Sequence, residues 1–292
     1  MFDLINAILS QSIPFLLLAF GISISYNVLK ATDMTIDGSF VLGAVVFARL
    51  VTLGFSPMIA ALASLLAGAL AGMLVATIQR GGRVDPLLAG VLATFILSSL
   101  NLALMGKPNI NLLSEPTLLS SAFAKSEPQG LLVTTGYTLL IGAIAFGLMR
   151  SPKGLTLRAF GNNPLLLKRL GNNIERIRSL GFALTNMLAA TAGCLTAQTV
   201  GYADIGMGFG MTLTGIGAII LGHQVLRRLY KKNYFRLGTE VIACLIGVIL
   251  YFFSLNMLLR LDINPIYLKM ILGLVLIFFL RAASKPFAGN TL

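Results

Sequence analysis

The run Gly161-Asn162-Asn163-Pro164-Leu165-Leu166-Leu167-Lys168-Arg169-Leu170-Gly171 carries both start and stop signals for a short helix. Asn163 suits the cap position, where a side-chain oxygen takes an unpaired backbone N–H. Pro164 suits the first helical position, where its missing N–H costs nothing. Gly171 suits the left-handed position past the last turn, and Lys168 and Arg169 complement the negative end of the helix dipole. The spacing predicts about two turns, roughly 10 Å long. Leu165, Leu166, Leu167 and Leu170 give it an apolar surface, and Arg158 precedes it. Asn173 then suits the cap of a second helix, beginning Ile174-Glu175. The chemistry on offer is recognition: such a helix either docks into a cleft of a partner or lies on lipid.

Covalent chemistry has few candidates. His223 is the single histidine, so no HExxH motif or His-rich metal site can form. No Gly-x-Ser-x-Gly is present, and Gly106-Lys107-Pro108 is not a phosphate loop. ATP hydrolysis is therefore not expected in this chain, nor is a metal or cofactor of its own. Cys194 and Cys244 fall inside apolar runs and read as small buried hydrophobes. His223 reads as a solvated or packed histidine near a span end. Arg49, His223, Glu240 and Lys269 lie close enough to span ends to snorkel. No span carries an ionisable residue at its centre, which weighs against a proton- or sodium-coupled carrier. Uncharged polar residues do occur within spans, among them Ser23, Asn27, Thr94, Asn101, Asn186 and Gln198. Each one serves interhelical hydrogen bonding, or together they line a polar path.

The elements that must position these residues are membrane spans. Of 292 residues, 57% are hydrophobic and 11% charged, against about 25% charged in soluble domains. Mean hydropathy is +0.88. A soluble globule of this composition would expose large apolar patches. The fold class is an all-α membrane protein, a polytopic bundle of eight to ten helices forming one domain over 1–292. Candidate spans are 8–29, 38–54, 57–79, 86–105, 131–149, 179–200, 209–226, 237–259 and 266–281, most near the ~20 residues needed to cross hydrocarbon. Loops at 106–130 and 150–178 interrupt them. No signal peptide is expected, because no Lys or Arg precedes the first apolar run.

The net charge of +12 points to membrane orientation rather than nucleic acid, because the basic residues sit between apolar runs. Placing 150–178 in the cytoplasm puts 17 of the 22 Lys and Arg residues inside and 5 outside. The N-terminus is then external, the C-terminus cytoplasmic, and 106–130 an external loop. An inverted echo accompanies this arrangement. Asp33 precedes a stretch ending Gly43-Ala44-Val45-Val46, and Asp204 precedes one ending Gly217-Ala218-Ile219-Ile220. Inverted repeats with broken helices at a transport path have this form. Asp37, Ser39, Tyr202 and Asp204 are accordingly expected at the ends of short or broken helices, with Asn101 a further path candidate.

Segment 154–222 resembles a known family. It reads Gly154-Leu155-Thr156-Leu157-Arg158-Ala159-Phe160-Gly161-Asn162-Asn163-Pro164, then Leu170-Gly171-Asn172-Asn173 and Leu180-Gly181-Phe182-Ala183. It closes with Gly201-Tyr202-Ala203-Asp204-Ile205-Gly206-Met207-Gly208-Phe209-Gly210-Met211 and Ile219-Ile220-Leu221-Gly222. This is similar to the permease subunit of branched-chain amino acid/ribose-type ABC importers. Asp33-Met34-Thr35-Ile36-Asp37-Gly38-Ser39-Phe40 with Gly43-Ala44 resembles its tryptophan/tyrosine-type branch.

The resemblance implies a second permease subunit, as a homodimer, and a cytoplasmic ATPase dimer that binds ATP and Mg. It also implies an external binding protein and a bacterial inner-membrane location. It implies that 158–173 is the coupling element inserted into the ATPase. The sequence departs from the pattern at His223-Gln224, where an acidic residue is expected after Leu221-Gly222. The expected function is import of an amino acid or related solute. The competing class is a carrier or channel acting alone. A membrane enzyme would need a polar catalytic cluster that the sequence does not show.

Overall fold

A computed structural model describes residues 2–119, 127–229 and 237–261, with 267, 270, 271, 273, 274 and 277 beyond. It is helical throughout, apart from two three-residue strands among the described residues. The helices are α1 (Phe2–Ser23), α2 (Thr35–Thr52), α3 (Pro57–Ile78), α4 (Pro86–Met105), α5 (Glu127–Arg150), α6 (Pro152–Asn162), α7 (Pro164–Arg169), α8 (Ile174–Val200), α9 (Met211–Leu229) and α10 (Leu237–Arg260). Pro57, Pro86, Pro152 and Pro164 each open a helix, the position their fixed φ and absent N–H suit. Among the described residues, eight helical segments are long and apolar enough to cross a membrane. The expected span 266–281 lies largely outside the described residues.

The longest of these helices, α8, is the axis of the bundle and packs against α1, α2 and α3. Small residues let it approach its neighbours closely. A Cβ built on Gly43 of α2 would fall on the Ala190 carbonyl, and one on Gly193 of α8 would fall on the Phe40 carbonyl. In lipid, where tails are as apolar as leucine, such backbone approach supplies the packing that holds helices together. The outer helices α3, α4 and α5 turn large side chains outward, including Leu66, Leu70, Phe95 and Leu139. An apolar surface of that kind suits hydrocarbon.

Several helices are broken or bent. α1 runs into a π-helical turn, Ile24–Val28, and the chain then crosses a non-helical linker before α2 begins at Thr35. Lys30 in that linker takes a left-handed φ of 54°, unusual for a non-glycine residue. A 3-10 turn, Ile205–Gly208, separates α8 from α9. The strands β1 (Asn109–Asn111) and β2 (Tyr202–Asp204) pair antiparallel, with Ile110 opposite Ala203. They join the far ends of α4 and α8. At the opposite end lie the linker after α1, the turn Arg80–Gly82 after α3, and α6 with α7.

A candidate docking helix and the polar breaks above it

The short helix predicted from its capping signals is α7. Asn163 Oδ1 accepts from the Leu166 N–H at 3.0 Å, and Gly171 takes a φ of 78°. Asn173 Oδ1 accepts from the Arg176 N–H at 3.2 Å and starts α8. Leu165, Leu166 and Leu170 are 67%, 51% and 68% exposed. Leu167 is 6% exposed and packs inward, so it anchors α7 to the bundle instead of sharing its outer surface. Lys168 and Arg169 are exposed beside those leucines.

The preceding helix, α6, was not read from the sequence, although Pro152 marks its start. Its Arg158 is turned back, donating to the Met149 carbonyl at 2.9 Å. Asn162, its last residue, is exposed.

The helices on either side of α7, α6 and α8, touch the broken end of α1 directly. A Cβ on Gly161 would collide with the Val28 carbonyl, and one on Gly181 would press on the Leu29 side chain. Arg178 donates to the Gln79 carbonyl at 2.8 Å and pairs with Glu175 at 3.2 Å, tying the start of α8 to the end of α3. The α6–α7 end is thus one packed unit with α1, α3 and α8.

Above it, a polar network supports the start of α2. Asn186 Nδ2 donates to Asp33 Oδ2 at 2.7 Å, and Ser39 Oγ donates to Asn186 Oδ1 at 2.7 Å. Asp33 Oδ1 accepts the Thr35 N–H at 2.9 Å. Asp33, Ser39 and Asn186 are all buried. Two α4 side chains reach the same region. Thr94 Oγ1 donates to the Met34 carbonyl at 2.8 Å, and Asn101 Nδ2 donates to the Gly38 carbonyl at 3.1 Å. A helix that starts inside a bundle leaves N–H and C=O groups that water cannot reach, and these side chains take up several of them.

The aspartates singled out by sequence do sit at helix breaks, but apart. Asp37, in the first turn of α2, accepts from the Gly210 N–H at 3.0 Å and the Thr212 N–H at 2.7 Å, so it caps α9. Asp204 accepts the Gly206 N–H at 2.7 Å and caps the 3-10 turn. Asn109 Nδ2 also donates to it, at 3.4 Å across the strand pair. Tyr202 projects from β2, 43% exposed.

A second polar cluster lies at the π turn. Glu240 Oε2 accepts from Asn27 Nδ2 at 2.8 Å and Ser23 Oγ at 3.1 Å, with His223 Nε2 at 3.2 Å. Glu240 is 7% exposed, so it does not snorkel to solvent. Its place near the start of α10 points to snorkelling in the sequence, and the structure corrects that expectation. What decides is the π turn, which brings Ser23 and Asn27 onto one carboxylate. His223 is a packed histidine.

This arrangement defines a class: a helical membrane bundle with broken spans and a short capped helix with exposed leucines at one end. Residues 4–280 match the family described as branched-chain amino acid transport system / permease component, and the chain belongs to it. It is a permease component of the branched-chain/ribose-type ABC importers, a class that is not itself catalytic. It is 44% identical over 277 residues to an uncharacterised protein of Rickettsia prowazekii, covering 95% of this chain and 96% of that one. It is 32% identical to a tyrosine transport system permease protein of Clostridioides difficile, over 96% of this chain and 91% of that one. A ribose import permease protein of Escherichia coli K12 is 22% identical over 96% of this chain and 83% of its own length.

Proposed function

We propose that this chain is the bacterial inner-membrane subunit of an ATP-driven importer for an amino acid or a closely related solute. It acts as a homodimer, takes substrate from an external binding protein, and is driven by a separate cytoplasmic ATPase dimer that holds ATP and Mg. The whole chain serves as a single permease unit, N-terminus outside and C-terminus inside. The observation that carries this reading is α7, a helix capped by Asn163 and closed by left-handed Gly171, with Leu165, Leu166 and Leu170 exposed at one end of the bundle. Leucines of this kind left in water cost free energy that a protein cleft recovers. Burial is worth about 1.5–3 kcal/mol per fully buried leucine. The 17 basic residues assigned to the α7 side support its cytoplasmic placement. The relative named for tyrosine transport supports an amino acid as the solute.

The test is reconstitution in proteoliposomes with the co-purified ATPase and binding protein. Uptake of labelled amino acid should require internal ATP and both partners. Uptake by the permease alone, driven by a proton or sodium gradient, would replace this reading with a secondary carrier.

A further inference from the structure

A cavity of about 700 Å³ opens where α6, the π turn and the start of α10 meet. Its lining includes Tyr26, Asn27, Lys30, Arg158, Asn162 and Glu240. Pockets of roughly 300–1,000 Å³ hold small molecules. The charges in its wall are divided by element. α10 contributes the carboxylate of Glu240. The linker after the π turn contributes the Lys30 ammonium, and α6 contributes the Arg158 guanidinium.

The described hydrogen bonds to Glu240 all fall on Oε2, from Ser23, Asn27 and the His223 ring. These fix the carboxylate in place while Oε1 takes no hydrogen bond among the described residues. Lys30 reaches the cavity from a left-handed backbone, φ 54°, held by the Ala31 N–H bonding back to the Ser25 carbonyl at 3.1 Å. Arg158 spends one N–H on the Met149 carbonyl and has others to offer. The lining thus brings together a held acceptor and two cationic donors in one cavity.

We propose that this cavity is a transient site for a free α-amino acid, with its ammonium on Glu240 Oε1 and its carboxylate on Lys30 and Arg158. The proposal rests on the importer reading above and names the part of the solute that the permease recognises. Each pole discriminates. A plain amine is repelled by Lys30 and Arg158, a plain acid by Glu240, and only the zwitterion satisfies both charges. The side chain of the solute makes no such demand, so recognition here is of the α-amino acid class. Arg158 and Asn162 stand on α6, immediately before α7. Movement of the docking helix therefore reaches the cavity wall in one step.

The test is thiol protection in the detergent-solubilised full-length permease. Tyr26→Cys places a reporter in the lining, and the native Cys194 and Cys244 are buried. Labelling by a charged maleimide is timed with a mixture of free standard amino acids other than cysteine, the same mixture N-acetylated, and the same mixture as α-amides. Free amino acids should slow labelling, and the two blocked mixtures should not. Adding Glu240→Gln should raise the half-protecting concentration about tenfold, the loss of one charge-assisted hydrogen bond. Equal protection by the N-acetylated or amide mixture overturns the proposal, as does no protection by free amino acids. Unchanged half-protection in the Glu240→Gln form does the same. If Glu240→Gln fails to fold, the three-mixture comparison still decides, because it keeps Glu240. The permease needs no ATPase in this assay. ATP-dependent uptake without protection would keep the importer and lose the site.

Discussion

Asp37 of α2 accepts hydrogen bonds from both the backbone N–H and the hydroxyl of Thr212, at 2.7 and 2.6 Å, across 175 positions of sequence. One carboxylate thus begins one helix and caps another. Asp37→Ala should lower stability by about 1–2 kcal/mol, the usual worth of a helix cap. Asp37→Asn should recover part of that, because its one oxygen can still accept from Thr212 while its amide nitrogen cannot accept the Gly210 N–H. Thermal unfolding in detergent measures the stability, and uptake measures function. If Asp37→Asn restores the melting temperature but not uptake, the residue does more than cap.

Docking should depend on the outward leucines of α7. Leu165→Asp with Leu166→Asp should abolish co-purification of the ATPase while the permease still inserts. Lys168→Ala should weaken it only modestly, since an exposed ion pair is worth about 0.2–1 kcal/mol. Leu167→Asp should behave differently from both. It buries a charge against the bundle core, so loss of folded permease should precede any loss of docking. Wild-type recovery of ATPase by the Leu165/Leu166 double variant would leave α7 as a lipid-surface helix.

These residues also show what sequence alone could convey. Caps are local, so Asn163, Gly171 and Asn173 fixed α7 and the start of α8 without any tertiary knowledge. The inward turn of Leu167 was not legible, because four leucines in six positions look alike until a neighbouring surface chooses one. The π turn after Ser23 was hidden for a similar reason. Its sequence, Ile24-Ser25-Tyr26-Asn27-Val28, has no proline or glycine to announce a break. Glu240 was misplaced for want of that turn, and the Asp33–Asn186 contact spans 153 positions with no periodic signal. The strand pair was missed because three residues are too few to show an alternation.

Movement of α7 should pass through Gly161. Its Cα lies against the Val28 carbonyl at the base of the π turn, with no room for a side chain. Gly161→Val should push α6 away from that turn. ATPase co-purification should persist, because the α7 leucines are untouched, while ATP-driven uptake should fall at least about tenfold, a loss equivalent to ~1.4 kcal/mol of coupling. Normal uptake by this variant would separate the π turn from the coupling route.

Asn186 should be costly to replace. Asn186→Ala removes a donor from buried Asp33 and an acceptor from Ser39, leaving polar atoms unpaired at about 1–3 kcal/mol each. Pairing it with Asp33→Ala should restore part of the loss. A double-mutant cycle followed by thermal unfolding reads the coupling directly. Strict additivity of the two losses would show that the contact carries no energy of its own.

Topology can be read by labelling intact cells with an impermeant thiol reagent. Ser114→Cys, at the exposed far end beyond β1, should react from outside, and Asn172→Cys, just past α7, should not. The opposite pattern would invert the orientation and place α7 where no ATPase can reach it.

The short strand pair gives the chain a mechanical closure. Five backbone hydrogen bonds or pairings join residues 108–112 to 201–205: the three strand registers, Leu112 N–H to the Gly201 carbonyl at 2.8 Å, and Ile205 N–H to the Pro108 carbonyl at 3.2 Å. Everything between them, including α5, α6, α7 and α8, is therefore an arm that leaves and returns at a single clasp. The short helix α7 lies at the other extremity of that arm. A pull on α7 is carried along α8, which ends two residues before β2 and so reaches the strand pair at the opposite end of the bundle. At that end α8 is a tethered strut instead of a free lever, and displacement at one end of the bundle is felt as load at the other.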